Sequence, residues 1–387
     1  MPLRLGTFNV WGLPRPFAVD LSARTRAIAN RFSKLELDVL LIQEAWSDEV
    51  RDGLSRAATQ AGFEVALASR ESGGGLMVLS RLPILKNRFE KYHFRGDPEK
   101  FGQGEYIGAK GYQALVLEGE AGPLHLINTH LHARYNRSRP ILNSAVRTAQ
   151  LLQLVGEIHA LDGAVVIGGD FNFTDEDPEY RIFKGLTGSI EVAEGRRDLS
   201  TITRSNYYKR RRSGRDKRID FIFQRPARGT IPIAADPRLI FSASEEIHGV
   251  SRSYSDHFGI SARIEWEGAK SETPFIAIPV PDPGAFELAR KLLDVGRLEA
   301  DRREVAPLRY AGGWIAGAVI AANIQRDPML NRRRFLRSFV GAVGIAALAP
   351  AAGYTTLARF DSDSKRDAFN GASAVLAQLE AASKASV

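Results

Sequence analysis

Ala164-Val-Val-Ile-Gly-Gly-Asp-Phe-Asn172 is a short apolar run that ends in an acid and an amide. A run of that length, rich in β-branched residues, reads as a buried strand. Asp170 and Asn172 then fall at its C-terminal end. The same design recurs in Thr7-Phe-Asn9, Ile42-Gln-Glu44, Asn128-Thr-His-Leu-His132, Arg218-Ile-Asp220 and Ser255-Asp-His257. Each ends a strand-like run on a polar or acidic residue, where a rigid scaffold holds reacting groups within tight tolerances.

Working outward, strand patterns cover 3–10, 38–43, 76–80, 113–118, 124–129, 164–170, 219–223 and 258–264. Between them, Ala27-Ile28, Phe32 and Leu35 repeat at helical spacing, as do apolar residues from Ile141 to Ile158. Strands with interspersed helices predict a layered α/β domain over 1–268, large enough to bury a substantial core. A Pro-rich linker and amphipathic helix are expected over 269–310, and a hydrophobic, Ala/Arg-rich tail over 311–387.

The 387 residues carry 53 Lys and Arg against 45 Asp and Glu, a formal charge of +8. With no Cys, disulfides, Cys-ligated zinc, iron–sulfur clusters and thiol nucleophiles are excluded. Any metal must be held by carboxylate, amide, carbonyl or imidazole. The residues gathered at the strand ends are of that kind: Glu44, Asp170, Asp220, Asp256, Asn9, Asn172, His130 and His257. They suit Mg2+ or Mn2+, hard ions that take oxygen ligands and bind substrate phosphates. There is no Ser–His–Asp order and no Gly-rich Lys-Ser/Thr loop. Taken singly, each residue also has a structural reading. Asn9 is a turn residue, Glu44 caps a helix starting near Ser47, and Asp256 is a surface acid. Their weight is joint.

Order, spacing and flanking strands together resemble the endonuclease/exonuclease/phosphatase superfamily, the deoxyribonuclease-like hydrolases, from about Leu3 to Glu265. Within it the chain is most similar to the Mg2+-dependent neutral sphingomyelinases. The residues that carry this are Phe8-Asn-Val-Trp-Gly-Leu-Pro14, Glu44-Ala-Trp-Ser47 and Thr129-His-Leu-His-Ala-Arg-Tyr-Asn-Arg137. The resemblance implies a four-layer α/β/β/α sandwich of two mixed sheets flanked by helices. It also implies hydrolysis of a phospholipid headgroup ester, sphingomyelin to ceramide and phosphocholine.

Carried over by position, the resemblance implies that Glu44 is the metal carboxylate, with Asn9 and Asp256 close by to coordinate the ion or its waters. His257 is the general base, and Asp220 fixes its tautomer. His130 and Asn172 donate to phosphoryl oxygens. Asp170 either orients the water or assists the leaving oxygen. Lys110, in Gly108-Ala-Lys-Gly111, is expected to touch phosphate, and His132 supports the motif. Trp11, Trp46, Phe101 and Tyr106 are aromatic candidates for a choline group.

Two features point to surfaces. Tyr207-Tyr-Lys-Arg-Arg-Arg-Ser-Gly-Arg-Asp-Lys-Arg218 packs seven cations beside one anion, which attracts phosphates of nucleic acid or of an anionic membrane. It is the main support for the alternative, a Mg2+-dependent nuclease of the same superfamily. In the tail, 311–324 and 338–358 are uncharged. The second is long enough to span a bilayer, and between them lies an Arg-rich segment. A hairpin anchor, a single span and an internal twin-arginine-like unit from Met329 are the readings. The N-terminal strand leaves no room for a secretory h-region, so the cytoplasm or the cytoplasmic side of a membrane is expected. Nothing in the sequence indicates a protein partner.

Overall fold

The computed structural model describes residues 2–68, 74–94, 110–120, 122–134, 140–211, 213–226, 230–268, 281–326 and 334–385. One mixed sheet contains β1 (Leu3–Asn9), β2 (Val39–Gln43), β3 (Glu64–Leu67), β4 (Met77–Ser80), β11 (Thr230–Ile240) and β14 (Gly259–Gly268), in the order β11-β14-β1-β2-β4-β3. The other contains β5 (Ile84–Lys91), β6 (Gly111–Gly119), β7 (Gly122–His130), β8 (Val165–Asp170), β9 (Ile190–Glu191) and β10 (Asp220–Arg225), in the order β5-β6-β7-β8-β10-β9. A separate hairpin pairs β12 (Ser244–Ile247) with β13 (Val250–Ser253).

The inner faces of the two sheets meet through Leu5, Leu41, Leu115, Leu126, Val166 and Ile260. On the outer faces lie α1 (Leu21–Ala29) and α2 (Asp48–Gln60) against the first sheet, and α3 (Pro140–His159) and α4 (Pro178–Thr187) against the second. This is the four-layer α/β/β/α sandwich. Ser47 starts α2 by accepting from Val50 N, the helix expected after Glu44. Under α4, Phe171, Phe173, Phe183, Phe221 and Phe223 form one ring cluster. Truncating a buried Phe of this kind to Ala costs about 3–5 kcal/mol.

Register explains why the strand-end residues converge. In parallel β1 and β2, Asn9 lies opposite Gln43, and Glu44 follows immediately. His130 of β7 pairs with Asp170 of β8, and Asp170 pairs with Asp220 of β10. Three functional candidates thus stand in one row across three strands. Beneath them Gln43 Nε2 donates to Thr7 Oγ1 at 2.9 Å and to Asn128 Oδ1 at 2.7 Å. Asn128 Nδ2 donates onward to Ile42 O and Met77 O. This buried polar bolt ties the two sheets together below the rim.

β5 and β11 were not expected as strands. The middle of β5 is exposed and polar, and β11 contains Pro232 and Pro237. Both are edge strands, where one face of the ladder has no partner to lose and Pro is tolerated.

Beyond the sandwich, residues 269–280 and 327–333, with most of the expected linker and Met329, lie outside the described residues. The amphipathic helix expected within 269–310 is α5 (Pro283–Gln325), capped by Asp282, whose side chain accepts from Gly284 N. It runs unbroken across 310/311, and Phe286, Ala289 and Leu293 join the core under α3 and α4. The uncharged stretch 338–358 is shared between α6 (Arg334–Ala346) and α7 (Leu348–Ala385).

Candidate active site

Asn9 links the two rims. Its Oδ1 accepts from Trp11 N at 2.9 Å, which fixes which end of the amide is nitrogen. Nδ2 then donates to Glu44 Oε1 and Asp170 Oδ2, both at 2.9 Å. Glu44 adopts φ +60°, a conformation unfavourable for a side chain of its kind. The turn is possible because Gly12 passes against it: a Cβ there would lie 2.4 Å from Glu44 O. Asn172, also left-handed at φ +54°, donates Nδ2 to Leu131 O, and its backbone N donates to Asp170 Oδ1, both at 3.0 Å.

Two imidazoles flank Asp170. His130 Nε2 is 3.4 Å from Asp170 Oδ2 and 3.8 Å from Glu44 Oε1. His257 Nε2 is 4.0 Å from Asp170 Oδ2, and its Nδ1 meets Asp220 Oδ2 at 2.9 Å. Asp220 therefore sets the His257 tautomer, leaving Nε2 directed to the rim. Ser255 Oγ donates to Asn9 O at 2.7 Å, seating the Asp256–His257 turn on β1.

The electrostatics are those of crowded, buried acids. Burial, and then Asp256, push the Glu44 carboxyl above its ordinary range. Burial and the Asp220 charge push Asp170 up to about 7. Burial alone would lower His257, but Asp220, Asp256 and Asp170 outweigh it and hold the imidazole up to about 10. Asp256 is below the ordinary carboxylate range: burial would raise it, and Lys209 and His257 more than offset that.

This donor set fits a divalent cation. Glu44, His130 and Asp170 bring one ligand atom each within 4.8 Å of one another, as do Asp170, Asp220 and His257. Glu44 Oε2 is buried and takes no hydrogen bond among the described residues, an arrangement that leaves an acceptor for an ion. The donors are carboxylate and imidazole, with no thiolate.

The sequence-derived residues Asn9, Glu44, His130, Asp170, Asn172, Asp220, Asp256 and His257 all lie at this rim. Asp256 is engaged by Lys209, whose Nζ is 2.6 Å from Oδ2. Lys110 is buried, and Nζ donates to Leu131 O at 2.9 Å, the same carbonyl that receives Asn172. His132 lies one step back, with its N donating to Gln150 Oε1. Trp11 stands over Arg24 at 4.7 Å and against Tyr208. Trp46 packs on Gly75. Phe101 and Tyr106 lie outside the described residues.

Two positioning residues were not anticipated. Lys209 reads in sequence as one more cation of the phosphate-attracting run, and only its closeness to Asp256 in space reveals the positioning role. Arg24 is buried in α1 and donates to Val10 O, Trp11 O, Val19 O and Tyr254 O at 2.8–3.1 Å. One guanidinium thus holds both ends of the β1–α1 loop and the strand leading to Asp256. No local pattern in the sequence marks it.

The chain is similar to the inositol phosphosphingolipids phospholipase C of Schizosaccharomyces pombe, 27% identical over 300 residues, covering 67% of each protein. It is 30% identical over 204 residues to human sphingomyelin phosphodiesterase 2, covering 51% of this chain and 47% of that one. The chain therefore spans about two thirds of the yeast protein and about half of the human one. Among solved structures, a Staphylococcus aureus beta toxin mutant with bound magnesium ions superposes with TM-score 0.51 at 18% identity, over 68% of this chain and 99% of that one. The family model for endonuclease/exonuclease/phosphatase proteins matches residues 6–257, the whole stretch from β1 to the His257 turn, and the chain belongs to that family.

Proposed function

We propose that the chain hydrolyses the headgroup phosphodiester of a sphingolipid, with sphingomyelin to ceramide and phosphocholine as the specific case, and that Mg2+ is its ion. The observation that carries this reading is the single rim on which Glu44, Asn9, His130, Asp170, Asp220 and His257 converge. The names of the relatives supply the lipid, and the magnesium-bearing toxin structure supports the ion.

His257, its Nδ1 held by Asp220, takes a proton at Nε2 from the attacking water. The water oxygen bonds to phosphorus, and the bond from phosphorus to the ceramide oxygen breaks. That oxygen takes up a proton to give ceramide, while the hydroxyl stays on phosphocholine. His130 and Asn172 donate to the non-bridging oxygens, which carry the developing charge. Asp170, between the two imidazoles, orients the water or protonates the leaving oxygen. Glu44 with Asp170 would hold a divalent cation, which when bound offsets charge on the phosphoryl and leaving oxygens. Positive charge beside Asp170 would also oppose the carboxylates that hold the proton on His257, which shifts the imidazole toward its base form.

The test sets sphingomyelin in mixed micelles beside plasmid DNA, each with EDTA and with His257→Ala. Phosphocholine release that needs both Mg2+ and His257, with intact plasmid, is the expected outcome. Plasmid nicking without phosphocholine release would sink the lipid reading in favour of a nuclease.

A further inference from the structure

The two residues that follow His130 are held at every backbone polar group. Leu131 N donates to Asp170 O at 3.0 Å, and Leu131 O accepts from Asn172 Nδ2 at 3.0 Å and from Lys110 Nζ at 2.9 Å. His132 N donates to Gln150 Oε1 at 2.8 Å, and His132 O accepts from Arg147 Nη1 at 3.4 Å. A loop whose N–H and C=O groups all have protein partners moves only with the elements that hold it. Here the holding element behind His132 is α3.

Arg147 and Gln150 stand three residues apart on α3, so they project from one face. Both are buried, although the helix reads in sequence as an apolar repeat. Gln150 also donates to Phe94 O at 2.9 Å, which fixes its amide at both ends. Gln153 continues the row, accepting from His93 N and donating to Lys91 O, both at 3.0 Å. One face of α3 therefore serves loop backbone rather than packing.

Arg147 is itself locked. Its Nε donates to Glu179 Oε1 at 2.8 Å, and Nη2 lies 2.6 Å from the same oxygen, with both side chains wholly buried. Glu179 is the second residue of α4, the helix that follows the Asp170–Asn172 turn, and its charge lies in the first turn, where the helix dipole favours an acid. Nearer to solvent, Arg134 pairs with Asp177, whose Oδ2 also accepts from Thr174 N at 2.7 Å. Two ion pairs, one dry and one partly exposed, thus join the loop that carries His130 to the loop that carries Asp170 and Asn172.

Stability does not explain a dry ion pair in this place. Two charges taken out of water lose hydration that their attraction barely returns, and apolar side chains of similar size commonly serve as well or better. The pair supplies direction instead. A guanidinium is planar with fixed donors, so engaging Glu179 through Nε and Nη2 aims Nη1 at the His132 carbonyl. We infer that Arg147, locked by Glu179, is a positioning residue for His130, acting through the His132 carbonyl to fix the imidazole relative to Asp170 and Asn172. His130 Nε2, 3.4 Å from Asp170 Oδ2, is then in place for a phosphoryl oxygen without any rearrangement of the loop. This role requires the rim to be the catalytic site, as proposed above, and holds for any headgroup.

The pair is best replaced whole, in the full-length chain, by Arg147→Met with Glu179→Leu, which leaves no buried charge stranded. The expected result is a Tm close to the parent's, an unchanged KM and a kcat lower by about 10- to 100-fold. In a His130→Ala background the same replacement should lower the residual rate no further, because the group it positions is gone. Amide exchange at Leu131 and His132 should quicken in the variant, whatever the substrate. Parental kcat at a parental Tm overturns the inference. So does an equal loss of rate in the His130→Ala background, and so does unchanged protection of the two amides. If the paired variant melts early, Arg147→Lys takes its place: the ammonium keeps a charge opposite Glu179 but lacks the fork that reaches His132 O, and a parental kcat there overturns the inference as well. Rates are read on sphingomyelin micelles and on bis(p-nitrophenyl) phosphate, a phosphodiester without lipid. Parental activity on the second substrate alone sinks the lipid reading and leaves the comparison of variants intact.

Discussion

Lys209 Nζ lies 2.6 Å from Asp256 Oδ2, so the first cation of the basic run points into the catalytic rim rather than outward to a polyanion. Arg210 sits over the Tyr207 ring at 3.9 Å, and Lys217 pairs through its backbone with Ile202. Part of what reads in sequence as a phosphate-binding patch is consumed in positioning.

The Lys209 contact predicts a metal-dependent phenotype. Without Lys209 the acids around Asp256 lose a compensating charge, and the pair is only partly buried. Lys209→Ala should therefore cost about 1 kcal/mol in EDTA, read as a lower Tm. Saturating Mg2+ should narrow the gap between variant and parent, because the ion supplies the missing charge. Equal Tm values in EDTA would remove Lys209 from this role.

A second prediction concerns pH. His257 is held up to about 10 and Asp170 up to about 7 in the metal-free protein. For each, the folded state keeps its proton at pH values where the unfolded chain has lost it. The stability contributed by protonated His257 is complete below its unfolded pKa, about 6.5, and is lost as pH rises toward 10. The Asp170 contribution fades in the same direction, from about 4 toward 7. Metal-free Tm should therefore fall as pH is raised from 5 to 9. Mg2+ binding should tighten over the same range, because the ion competes with those protons. Calorimetry in EDTA and in Mg2+ reads both, and a metal-free Tm that rises through this interval would contradict it.

Much of this site is legible in the sequence because each residue ends a strand, and strand ends follow local patterns. His130, Asp170 and Asp220 could be named from their own segments, and register alone sets them in one row. The supporting residues are not legible in that way. Arg24 sits in a helix of ordinary pattern, and its four carbonyl partners come from three separate segments. β5 and β11 escaped because edge strands need no apolar alternation on both faces and tolerate Pro. The tail's apolar character is plain, but its continuity with the core depends on Phe286 and Phe369 being buried in the same cluster as the residues of α3 and α4, a placement with no local signature.

Arg24 offers a test of that supporting layer. Its guanidinium satisfies carbonyls of Val10, Trp11, Val19 and Tyr254, and an ammonium cannot reach all four in one plane. Arg24→Lys should lower Tm by several degrees and reduce kcat more than KM, because Tyr254 leads directly to Asp256 and His257. A variant with parental kcat and a lowered Tm would confine Arg24 to stability.

Asn9 gives the sharpest single-atom prediction. Its Nδ2 is 2.9 Å from carboxylate oxygens of both Glu44 and Asp170, so a donor stands between two acids. Asn9→Asp keeps the size and the acceptor for Trp11 N but replaces that donor with a third acidic oxygen. Two charges about 4 Å apart repel by roughly 4 kcal/mol at an effective dielectric of 20, and protonation relieves part of it. The variant should lose at least about 2 kcal/mol in EDTA and regain much of it in Mg2+, since a cation among the three acids removes the repulsion. Its activity should still fall, because Glu44 and Asp170 lose the amide that spaces them. Denaturant melts with and without Mg2+ read the first effect, and phosphocholine release reads the second. Unchanged stability in EDTA would mean that the three oxygens are not held together, and the rim geometry would have to be redrawn.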